Sequence, residues 1–138
     1  MTKKDTELLG QILEKLNYLE PGIKKFPVEP IDAKMSVYLL DLEDVCYITT
    51  RNEFGRKEIG FVTAKKQYFS NLSLRDVEKR LLDNPHFMRT SKYYIVNLDK
   101  ICGMKVNSAR DLWFKGVKKS IVNAVSDTYL SRFLKRLK

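Results

Sequence analysis

The sequence predicts a mainly β fold of the α+β class with short helices, preceded by an N-terminal amphipathic helix. Three observations carry this. From residue 36 onward, short β-branched and aromatic runs recur, charged or glycine-bearing turns separate them, and helical spacing is confined to one stretch in the middle and one at the end. With 138 residues, 43% of them hydrophobic, the chain can close one core with an appended arm. The expected division is residues 1–33 as helix and Pro-containing linker, and residues 34–138 as the folded domain.

The arm comes first. Leu9, Ile12, Leu16 and Leu19 follow a three-four spacing that Leu8 and Leu13 widen, so residues 6–20 read as an amphipathic helix stopped by Pro21-Gly22. The stripe fits either packing on its own domain or pairing with a second copy, since two heptads are short for a coiled coil. In Phe26-Pro27-Val28-Glu29-Pro30 the prolines remove donors and bias their neighbours to extended backbone, which reads as a linker.

Four strands are then expected, at Val37–Leu40, Val45–Thr50, Ile59–Thr63 and Gln67–Ser70, with Asn52–Lys57 as a turn. Ser73 with Asp76 resembles a capping box for a helix whose apolar face is Leu74, Val77 and Leu81, ended by Asn84-Pro85. Strands return at Phe87–Arg89, Tyr94–Val96, Ile101–Val106, Leu112–Phe114 and Ser120–Val122, with a hairpin turn at Lys115–Lys118. Ser126 as N-cap, with Leu130, Phe133, Leu134 and Leu137 at helical spacing, predicts a closing helix whose last turns are basic.

Charge narrows the partner. The formal net charge is +9. Residues 1–33 hold five Lys or Arg against six Asp or Glu, whereas residues 89–138 hold twelve against three. The excess therefore belongs to the folded part, where it attracts polyanions: nucleic acid first, an anionic membrane surface second.

Little points to catalysis. His86 is the one histidine and stands beside Pro85 in a turn, the setting of a surface or strand-edge residue. Asp41, Glu43 and Asp44 cluster in a turn without further ligands, and no glycine-rich phosphate loop is present. Cys46 and Cys102 sit in apolar runs and read as buried reduced thiols, so a reducing cytoplasm is expected. No enzyme activity, cofactor, metal site or small-molecule substrate is expected. The aromatic pairs Tyr68-Phe69, Tyr93-Tyr94 and Trp113-Phe114 could stack on unpaired bases, but each alternates across a strand and at least one member should face the core.

The residues from Ser73 onward resemble a LytTR domain. An amphipathic helix precedes Phe87, Arg89, the polar pair Ser91-Lys92, the block Tyr94-Ile95-Val96-Asn97-Leu98, and Ile101. The Val125-Ser126 step and Tyr129-Leu130 match the opening of the last helix. The resemblance covers residues 34–137 approximately and implies an elongated β-fold in which loops, not a recognition helix, enter successive major grooves.

Three regions are thereby expected to meet DNA: Arg56 or Lys57 in the early loop, Ser91-Lys92-Tyr93 in the turn just before the strand that opens at Tyr94, and Ser126-Asp127 before the last helix. Asp127 stands where the family commonly has Arg, and an acidic side chain cannot make the bidentate guanine contact. Arg132, or Lys118 and Lys119, are the expected compensating cations. Arg89 either meets DNA or braces the turn; Asn97 holds a strand end.

The resemblance implies double-stranded DNA as partner, paired direct repeats as target, and transcription regulation as role. Many family members carry an upstream receiver domain, which 33 residues are too few to form. Regulation is then expected through abundance, a homodimer or partner engaged by residues 6–20, or a membrane-bound inhibitor. The rival readings are an interaction module with weak DNA binding, and binding of RNA or single strands.

Overall fold

The computed structural model describes residues 3–18, 24–30, 37–105 and 110–137. Helix α1 spans Lys3–Tyr18 and lies against the first strand. The side chains of residues 12–18, which carry most of the predicted stripe, lie outside the described residues, as do the Pro21-Gly22 stop and Val106.

Residues 26–30, read from sequence as linker, form strand β1 (Lys25–Pro30) inside the sheet. The phase of the pairing explains why proline is tolerated. The Leu42 N–H donates to Lys24 O at 2.9 Å, so residues 24, 26 and 28 exchange hydrogen bonds with β2 (Tyr38–Asp41). Pro27 falls between them, with its missing donor on the other side, where pairing to β5 (Gln67–Ser70) begins only at Glu29. Phe26 and Val28 meanwhile point into the core.

Strands β3 (Val45–Thr49), β4 (Ile59–Thr63), β6 (Phe87–Arg89) and β7 (Tyr94–Asn97) complete a seven-stranded sheet of order β2-β1-β5-β4-β3-β7-β6, antiparallel throughout. Alternate side chains feed two cores. Ile48, Phe61, Phe87 and Ile95 pack under α2 (Leu74–Arg80) through Leu74, Val77 and Leu81. Tyr47, Val62, Met88 and Val96 pack on the opposite face, under the ribbon β8–β9 (Ile101–Met104, Leu112–Phe114) and helix α3 (Asp127–Leu137), which contributes Phe133. Both faces are covered, so all five residues of central β3 are buried.

Local chemistry follows the sequence closely. Ser73 Oγ accepts the Asp76 N–H at 3.1 Å, capping α2. Asn97 donates to Val45 O at 2.9 Å and accepts from the Asp99 N–H at 3.0 Å, fastening the end of β7 to β3. Each aromatic pair does place at least one ring in the core, and Tyr68 and Phe69 are both buried. Three details differ from expectation. The predicted strand at Ser120–Val122 is a single bridge from Ile121 to Leu112. Helix α2 stops at Arg80, a turn before Asn84-Pro85. Cys102 is exposed, because β8 covers the sheet with one face only, while Cys46 is buried.

Edge strand β6 is clasped from outside. Arg136 of α3 donates through Nη1 to Phe87 O at 3.4 Å and through Nη2 to Pro85 O.

Candidate nucleic-acid interface

Sheet register decides which loops meet. Thr49 pairs with both Gly60 and Tyr94, and Arg89 pairs with Ile95, so the β3–β4 loop (50–58) and the β6–β7 turn (90–93) leave the same end of the sheet. The junction before α3 joins them, because the Ser126 N–H donates to Thr90 O at 2.8 Å. All three regions singled out from the sequence thus lie at one end.

The 90–93 turn is rigid. The Ser91 hydroxyl accepts the Tyr93 N–H at 3.0 Å, and Ser91 is only 4% exposed, so it shapes the turn from inside. Arg89 runs beneath. Its Nε donates to Ser91 O at 2.8 Å, its Nη2 to Lys92 O at 3.1 Å, and its Nη1 to Glu78 at 3.0 Å. Of the two readings of Arg89, the geometry supports the brace. Lys92 stands exposed at the apex, its Nζ 5.4 Å from the centre of the Tyr93 ring.

In the β3–β4 loop, Asn52 ties the chain with four bonds: Nδ2 to the carbonyls of Arg56 and Glu58, and Oδ1 from the N–H groups of Phe54 and Arg56. Gly55 turns the loop with φ +65°. Arg56 is half-buried over the Phe69 ring at 4.0 Å and paired with Glu58 at 3.0 Å. That hydrogen bond raises the guanidinium pKa and lowers the Glu58 pKa from their usual values. Lys57 is exposed. Arg51, at the loop entrance, lies over the Tyr93 ring 3.5 Å from its centre. A hydrogen bond from Arg51 and then the Lys92 charge hold the Tyr93 phenol below the usual range.

At the third region, the cation beside Asp127 is Arg110, not Arg132, Lys118 or Lys119. Arg110 Nη1 is 2.7 Å from Asp127 Oδ1 and 3.2 Å from Val125 O. Its backbone takes φ 44°, and its carbonyl accepts the Ala124 N–H at 3.3 Å. Arg132 sits over its own helix's Tyr129 at 5.4 Å. Lys118 and Lys119 follow the Gly116 turn, which abuts Ala64 between β4 and β5, at the end of the sheet away from the three loops.

Sequence reasoning missed Arg51 and Arg110. Arg51 had a usable signal, a cation directly after a predicted strand. Arg110 had none, for its contacts with Val125 and Asp127 are tertiary. Elsewhere, His86 Nδ1 contacts Asp99 Oδ2 at the surface, and Asp41 pairs with Lys25 at 3.0 Å. Among the described residues, no cluster of three or more His, Cys, Asp or Glu could hold a metal, and no helix is long and apolar enough to cross a membrane.

A β-sheet scaffold carrying a basic, loop-built end defines the class, a nucleic-acid-binding β-domain. The chain belongs to the LytTR family: the sequence model of the LytTr DNA-binding domain matches residues 35–138. That domain is a DNA-binding domain of transcription regulators and not an enzyme family. Among solved structures the chain is similar to a LytTr DNA-binding domain from Bacillus cereus, with a TM-score of 0.62 and 20% identity over 81% of this chain and 97% of that one. Among curated proteins, none matches the chain.

Proposed function

We propose that the chain regulates transcription by binding specific double-stranded DNA, with its three loops reading successive major grooves. The observation that carries this is the convergence of the three loops at one end, with Lys92 exposed on a turn that Arg89 and Ser91 hold rigid. In this reading Lys92, Lys57 and Tyr93 face the duplex, Arg89 and Ser91 position the turn, and Ser126 and Asp127 set the start of α3. Paired direct repeats are the proposed target and the cytoplasm the proposed location. Selection of bound duplexes from a random pool tests the reading. The wild type should enrich a discrete motif, Lys92→Ala should bind duplexes of that motif more weakly, and log K should fall with log salt by about 0.9 per phosphate neutralised. Undiminished affinity in the mutant, a flat salt response, or preference for single strands defeats it.

A second reading concerns the arm. The apolar spacing of Leu9, Ile12, Leu16 and Leu19, with Leu8 beside it 56% exposed, supports a partner for this helix: a second copy through residues 6–20, or a membrane-bound inhibitor. Removing residues 1–23 spares β1 and separates the roles. Loss of dimerisation with intact single-site binding identifies a dimer arm, whereas an unchanged oligomeric state rules that arm out.

A further inference from the structure

The guanidinium groups at the loop end are not equivalent. Arg56 is paired with Glu58 and Arg89 with Glu78, both at 3.0 Å, and Arg110 with Asp127 at 2.7 Å. Arg51 has no such ion pair among the described residues. It is exposed, and its backbone is fixed by its own N–H donating to Thr49 Oγ1 at 2.8 Å. Its guanidinium carbon lies over the Tyr93 ring, 3.5 Å from its centre, in direct contact with the face.

The backbone that carries the ring is equally fixed. Tyr93 donates its N–H to Ser91 Oγ at 3.0 Å and accepts the Thr50 N–H on its carbonyl at 3.2 Å. Two loops are thereby locked together, the arginine on one and its platform on the other. An arginine held against a ring loses little entropy when it binds, and the guanidinium edge not engaged by the Tyr93 phenol is left for a base. Such an edge matches O6 and N7 of guanine in the major groove, and no carboxylate must be displaced first.

We propose that Arg51, preorganised on Tyr93, is a specificity-determining residue that reads one guanine of the target, while Lys92 beside the same ring contacts phosphate. This rests on the reading above, that the loop end meets duplex DNA.

Duplex selection with the full chain tests it, comparing the wild type, Arg51→Lys, Arg51→Ala and Tyr93→Leu. Because Arg51 is exposed, these Arg51 substitutions leave the fold intact, which thermal unfolding verifies. The wild-type motif should contain a guanine whose preference falls by about 5- to 150-fold in Arg51→Ala, the worth of one bidentate pair. Arg51→Lys should lose that preference too while keeping the salt slope, since the charge remains but the fork is gone. Tyr93→Leu should weaken the same position more than any other. The proposal is overturned if Arg51→Ala enriches the unchanged motif. It is also overturned if affinity drops uniformly across sequences with a smaller salt slope, the mark of a phosphate contact. A wild type that enriches no motif defeats sequence-specific reading as a whole, a different result from either.

Discussion

Replacing Arg89 by Met removes a charge from the most basic part of the chain, yet the structure predicts an effect that is mechanical and not electrostatic. The guanidinium makes two bonds to turn carbonyls and one to Glu78, and its side chain is 15% exposed. Hydrogen bonds from a charged donor are worth about 1.5–3 kcal/mol each when buried. The two bonds to turn carbonyls contribute about 3 kcal/mol at the lower end, and the Glu78 pair, which water reaches, adds at most about 1, so a loss of about 3–4 kcal/mol in folding stability is expected. Ser91 and Lys92 then lose their support, and re-ordering even part of that turn on binding costs on the order of 2 kcal/mol, or about 30-fold in affinity. Denaturant unfolding reads the first number and duplex titration at several salt concentrations the second. Arg89→Met should lower affinity with an unchanged salt slope, whereas Lys92→Ala should lower the slope by about 0.9 with unchanged stability. If the slope falls in Arg89→Met as much as in Lys92→Ala, Arg89 touches phosphate and the bracing argument is wrong.

Three further outcomes are expected. Gly116→Ala forces a side chain into φ +76° and brings its Cβ to 2.8 Å from the Ala64 Cβ, so calorimetry should register a loss above about 1–2 kcal/mol. With a thiol reagent, exposed Cys102 should react at once, while Cys46, buried and with its thiol pKa pushed up by that burial, should react only on unfolding; simultaneous reaction of both contradicts the packing. The Tyr93 phenol should ionise below the usual range in an ultraviolet titration and return toward it in Arg51→Ala. A depressed folded-state pKa stabilises the fold at high pH, fully above the unfolded phenol value of about 10, and the gain vanishes as pH falls through the folded value. A titration identical in the mutant would show that Arg51 does not act on the ring.

What the sequence made legible depended on how local each cause was. The Ser73 cap and the alternation that sends Ile95 to one core and Tyr94 and Val96 to the other arise within a few residues, and they were readable. The place of β1 was not, because proline signals a missing donor without saying which side of the strand it falls on, and only pairing with β2 decides that. The same holds for the candidate site. Ser91 looked like a contact residue in a polar motif, and its burial follows from a hydroxyl turned back onto Tyr93. Arg110 reaches Asp127 across 17 positions, a distance no local pattern spans.

Arg136 closes one border of the large sheet. On β6 its guanidinium occupies the carbonyls of Pro85 and Phe87, which a foreign strand would otherwise use for docking. The helix that starts at the loop end therefore finishes as a guard against edge-to-edge aggregation. Trimming the last turn of α3 would leave the three loops in place yet open a template for strand addition, so the solubility of a shortened chain, more than its DNA affinity, would register the loss.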